Sequence, residues 1–103
     1  MRFLIYAKIP TEAGNQMVQD PDLLCKLERY VNKVKAEATY FFEMDGSRVA
    51  AFIVDIDSAD QIPVFAEPLF SGMGAHVELQ PVMSLDDLKK GIPRAVVEVN
   101  SYR

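Results

Sequence analysis

Phe3, Ile5, Ala7 and Ile9 alternate with Arg2, Leu4, Tyr6 and Lys8, a period of two that predicts a strand over residues 2–9. PTEAGN follows as a loop, with an irregular turn over 12–19. Leu24, Leu27, Val31 and Val34 then recur at helical spacing, with Lys26, Glu28, Arg29, Lys33 and Lys35 on the other faces. Asp20-Pro21 supplies an N-cap followed by proline at the first helical position, so the helix is expected over about 20–36. ATYFFEM and RVAAFIVDI read as two strands joined by Met44-Asp45-Gly46-Ser47, because Asp-Gly tolerates the positive φ angles of a tight hairpin. Ser58 or Asp60 caps a second helix in which Ile62, Phe65, Ala66, Leu69 and Phe70 make one apolar stripe. Pro63 falls in its first turn, Pro68 is expected to end or kink it, and Ser71-Gly72 closes it. Residues 75–82 form a fourth strand. Ser84-Leu85-Asp86-Asp87 is the capping-box start of a C-terminal helix, with an interruption expected at Gly91-Ile92-Pro93 and the tail AVVEV read as helix.

The order β-α-β-β-α-β is the split βαβ, or ferredoxin-like, pattern. It predicts an α+β fold: one domain over 1–103, a four-stranded antiparallel sheet and a C-terminal helical extension. Two helices on one face would leave the other face free. Val49 to Val54 is an unbroken apolar run, which implies burial on both sides of the third strand. Leu4, Tyr6, Tyr40 and Phe42 add apolar surface, a patch of several hundred Å² that soluble monomers rarely expose. A second copy packed sheet against sheet would cover it, so a homodimer is expected, with further association left open. His76, Glu78 and Gln80 share the free face on an edge strand and can rim a groove with room for a small apolar or carboxylate ligand.

Charge and composition narrow the partners. The chain has 103 residues, half of them hydrophobic, and a formal net charge of −4 without a Lys/Arg cluster. That argues against a nucleic-acid or anionic-membrane surface. No stretch approaches the roughly 20 apolar residues of a membrane span, and the N-terminus lacks a signal peptide's apolar length and cleavage site. The single cysteine, Cys25, excludes an internal disulfide and suits a reducing cytoplasm. It reads as a buried structural thiol.

The Asp45-Gly46 hairpin, the element order and the segment AEPLFSGMGAHVELQPVMSLDDL resemble the dimeric α+β barrel superfamily over about residues 1–83. Within it, Pro68-Leu69-Phe70 running into Ala75-His76-Val77-Glu78-Leu79 is similar to the helix-to-strand junction of muconolactone isomerase-like proteins. IPTEAGN, EPLF and PVM look closer still to small uncharacterised bacterial members. The resemblance implies a dimeric barrel and a range of activities that includes cofactor-free monooxygenases and lactone isomerases.

His76, the one histidine, is the candidate catalytic acid or base, against the plainer reading of an edge-strand side chain. Glu78 lies two residues on, where it can hold the imidazole or bind a substrate hydroxyl. Tyr6 and Tyr40 are candidate substrate-binding phenols or packing groups. Lys8 and Arg48 can take a carboxylate, although Arg48 follows a turn and has Glu43 on the same hairpin to pair with. Asp55 to Asp60 lacks the glycine and glutamate of a calcium loop. Gly72-Met73-Gly74 runs helix to strand, the reverse of a phosphate site. No metal or organic cofactor is expected. Two functions follow: a cofactor-independent small-molecule enzyme doing proton-transfer chemistry, isomerase-like or monooxygenase-like, or a non-catalytic dimeric ligand-binding or assembly module.

Overall fold

Strand β1 (Arg2–Ile9) runs through the middle of the sheet, antiparallel to β3 (Ser47–Asp55) on one side and to β4 (His76–Pro81) on the other. β2 (Ala38–Met44) pairs with the outer side of β3, which gives the order β2-β3-β1-β4. The computed structural model describes every residue from Met1 to Arg103. Helices α1 (Thr11–Val18) and α2 (Leu23–Val34) follow β1; α3 (Ile62–Met73), entered through a 3₁₀ turn at Ala59–Gln61, follows β3. α4 (Leu85–Ser101) ends the chain. This is an α+β, ferredoxin-like βαββαβ arrangement with a C-terminal helix.

The alternation in β1 sorts the layers. Ile5 and Ala7 face the helices beside Phe52 and Ala50, their cross-strand partners, and join Val54, Phe65, Leu69 and Val34 in the core. The hairpin between β2 and β3 turns through Asp45 and Gly46, both at positive φ (53° and 74°). That is the primed geometry Asp-Gly favours.

Several expectations need correction. PTEAGN is not a loop: residues 11–18 form a helix, whose buried Gly14 lets the Arg48 side chain lie against it. The next helix starts at Leu23, because Asp20 accepts from the Asp22 N–H (2.9 Å) and from Lys26 Nζ (2.7 Å) in a turn before it. Its inner face accordingly uses Leu23, Leu27 and Tyr30, while Leu24 is 77% exposed and Cys25 is exposed as well. Pro68 does not end α3, which continues to Met73 and stops at Gly74 in the left-handed conformation (φ 58°). Pro68 and Val64 both lie on the wet side, where water can take the carbonyl that proline leaves free. α4 likewise runs unbroken through Gly91 and Pro93.

On the face away from the helices, three rows cross the sheet: Ala38–Ile53–Leu4–Gln80, Tyr40–Ala51–Tyr6–Glu78 and Phe42–Val49–Lys8–His76. Val49 (2% exposed) and Ala51 (5%) are dry in a single chain, because larger neighbours flank each of these small side chains. The apolar run in β3 therefore does not by itself require a second layer. The exposed apolar surface lies one strand out on β2, at Tyr40 and Phe42 on this face and at Phe41 on the other. A second exposed apolar surface lies on α4, beyond the opposite edge of the sheet, and this helix buries no residue at all. The molecule measures 59 × 28 × 22 Å with a radius of gyration of 17.2 Å. A compact chain of this length has about 13 Å.

Candidate functional site

Between the helices and the β2–β3 end of the sheet lies a cleft of about 310 Å³, with ten of its thirteen lining residues hydrophobic. Ile9 and Ala50 make its floor; Met17, Leu23, Leu27 and Met73 come from the three helices; Phe41 stands at the open side. Two charged groups enter it, Arg48 and Glu43. They are cross-strand partners, yet no ion pair joins them. The Arg48 guanidinium instead donates to the Thr11 carbonyl (3.3 Å) and Asn15 Oδ1 (3.0 Å) of α1. A methyl group at Gly14 would overlap Arg48 Nη1, so the glycine leaves space for that side chain. A half-buried cation whose hydrogen bonds go to neutral partners keeps donor capacity for an anion, although the nearby Glu43 carboxylate offsets part of its charge.

Strand β4 places the other candidates on the free face. Tyr6, Lys8, His76 and Glu78 gather around an open depression of about 200 Å³ with Met44 and Val49. His76 Nε2 is 3.6 Å from Glu78 Oε1, an ion pair only when the imidazole is protonated. Both side chains are largely in water, 72% and 67% exposed. Lys8 reaches Asp45 Oδ2 at 3.9 Å. Tyr40 is not part of this group: it lies on β2, on the far side of Ala51 from Tyr6, two strand spacings or about 10 Å away. So the chain brings Tyr6, His76 and Glu78 together and leaves Tyr40 apart.

The acidic stretch between β3 and α3 is used locally. Asp55 accepts from the N-terminal ammonium (2.7 Å) and Asp60 from Ser58. No three His, Cys, Asp or Glu side chains stand close enough to share a metal ion. No helix is long and apolar enough to cross a membrane. The sheet–helix cleft was not foreseen from the sequence, because its wall is α1, which reads as a loop. The available signal was Gly14 four residues after Pro10, a small residue where a helix must pass close to another side chain.

Compared with models of known families and with curated proteins, the sequence matches none.

Proposed function

We propose that this chain is a homodimeric small-molecule-binding protein of the dimeric α+β barrel type. Its ligand is a compact apolar acid held in the sheet–helix cleft. One observation carries this reading: a mostly apolar cleft containing a guanidinium that α1 fixes in place and that makes no direct ion pair. Pockets of this size, apolar with a few convergent polar groups, are the usual form of small-molecule sites. Arg48 would take the carboxylate, and Glu43 favours a ligand that also carries a hydroxyl or amine donor. The resemblance of the Pro68 to Leu79 segment to muconolactone isomerase-like proteins supports the same reading. The lone cysteine supports a reducing, cytoplasmic setting.

A thermal-shift screen tests it, using small aromatic and branched hydroxy acids beside their amides. At a hundred times its Kd a bound acid stabilises the fold by about 2.7 kcal/mol. The amides and the Arg48→Gln variant should show little of that shift. Gly14→Ala should fold and also lose it, because the added methyl displaces the guanidinium. Equal shifts for acids and amides would end the assignment.

A second reading, cofactor-independent proton transfer, rests on the depression where Tyr6, Glu78 and His76 meet. There His76 is the acid or base and Tyr6 and Glu78 orient the substrate, while Tyr40 stands too far off to take part. A partner sheet over this face would supply the enclosure that one chain lacks. If His76→Ala responds to every stabilising ligand as the wild type does, His76 takes no part in binding.

A further inference from the structure

The cleft beside Arg48 does not end at a solid wall. Behind it, where α2 packs beside α3, lies a second cavity of about 170 Å³. Four side chains line both spaces: Met17 from α1, Leu23 and Leu27 from α2, and Met73 from α3. All four are half-buried, and Met73 packs against the core. A single layer of side chains, two of them methionines, thus divides the cleft from the rear cavity.

The rear cavity suits hydrocarbon. Tyr30, Pro68 and Leu69 wall it, and Leu69 is only 1% exposed. Its polar side chains already have partners. The Tyr30 hydroxyl donates to the Phe65 carbonyl at 2.7 Å, and Lys26 is paired with Asp20 at 2.7 Å. An apolar tail therefore fits this space better than a polar one.

Helix α1 sets the direction of approach. Arg48 is held at its first turn, by the Thr11 carbonyl and Asn15 Oδ1, whereas Met17 stands in its last turn. A carboxylate on Arg48 leaves its tail to run along α1 towards Met17 and Met73. Methionine is unbranched and fills irregular gaps, so two removable side chains, not the backbone, decide how deep the cleft is.

We propose that Met17 and Met73 set the chain length of the acid that the cleft accepts. In the wild type they stop the tail. With shorter side chains at both positions the rear cavity joins the cleft and takes straight-chain aliphatic acids. This deepens the reading of the cleft as an acid site and rests on it.

Calorimetric titration with the straight-chain acids from butanoate to decanoate tests it, with benzoate as the compact probe. In the wild type, affinity should stop rising with chain length once the tail meets the methionines. In the Met17→Ala, Met73→Ala protein it should keep rising, by about fourfold for each methylene that enters the rear cavity. Met17→Val with Met73→Val removes less packing; it should show the same trend over fewer methylenes and serves if the alanine protein does not fold. Adding Arg48→Gln to either variant should abolish the gain, because the carboxylate end is then unheld. A series that levels off at the same length in the wild type and both variants overturns the proposal, as does one that never levels off in the wild type. Long-chain binding that survives Arg48→Gln overturns it too, because the tail then enters the rear cavity without using the cleft. Failure of benzoate and of every chain acid to bind the wild type would instead remove the acid site itself.

Discussion

Thr39 faces the helices from the edge strand β2, opposite Phe52, and its buried hydroxyl has no hydrogen-bond partner. A hydroxyl in that position costs free energy that an apolar group of the same shape does not. Thr39→Val should therefore raise stability by about 1 kcal/mol in urea titration. A destabilised variant would mean that the hydroxyl is satisfied in solution. Tyr30 is the contrary case. Its ring packs edge-on against Phe52 (centroids 5.0 Å apart) and its hydroxyl donates to the Phe65 carbonyl at 2.7 Å. Burial pushes the phenol up to about 12. A phenol whose pKa is raised on folding contributes stability that is fully present below the ordinary value of 10 and is lost as the pH climbs towards 12. The alkaline limb of the stability–pH curve should flatten in Tyr30→Phe, and a limb unchanged by that substitution would assign it to another group. Arg48 shows why single residues misled at this scale. From the chain alone it follows a turn and has Glu43 as its obvious partner. Its actual partners, Thr11 and Asn15, become neighbours only once α1 exists.

Elements whose reading depends on local pattern were legible. The strand over 2–9, the Asp45-Gly46 hairpin and the strands on either side of it follow from alternation and from one turn dipeptide. The start of α4 at Ser84 was equally plain, because a capping box is a local hydrogen-bond pattern. Elements that depend on tertiary support were not. α1 is only eight residues long and carries Gly14 and Asn15, both poor helix formers; it is held by what Met17 and Gly14 touch, not by propensity. Pro68 was expected to end or kink α3 and the Gly91-Ile92-Pro93 stretch to interrupt α4, yet both helices continue past their prolines. The capping box makes a prediction of its own. Asp87 accepts from the Ser84 N–H, and that bond holds its carboxyl below the usual 3.8. A depressed carboxylate contributes stability that is present above the unfolded value and disappears as pH falls through the folded one. The first turn of α4 should thus exchange its amide hydrogens faster below about pH 4, a dependence that Asp87→Asn removes. Ser84→Ala should weaken the same turn by about 1 kcal/mol at neutral pH, near fivefold in exchange rate at residues 85–88. Exchange there that ignores both pH and the Ser84 substitution would show that docking, not capping, holds the helix.

At the scale of the whole molecule the balance of surface and core decides how stability must behave. Fifteen of 103 residues are buried, and α4 adds none of them. A small core beneath an oversized surface leaves little to offset chain entropy, so the proposed dimer would supply much of the fold's stability through association. Unfolding then becomes a dissociation as well, and mass action enters the melting temperature. Each tenfold rise in protein concentration favours the dimer by about 1.4 kcal/mol. Set against an unfolding entropy near 2.1 cal/mol/K for each residue of two chains, that moves the Tm by roughly 3 °C per decade. Calorimetry from a few micromolar to a few hundred should show a shift of about twice that size. A chain with Tyr40→Lys and Phe42→Lys, on the exposed free face of β2, should lose the concentration dependence and melt lower, because the proposed sheet-to-sheet dimer would cover that face. A melting temperature that stays constant across that range would mean that the core of one chain suffices. The apolar stripe of α4 and the aromatic edge of β2 would then need another explanation.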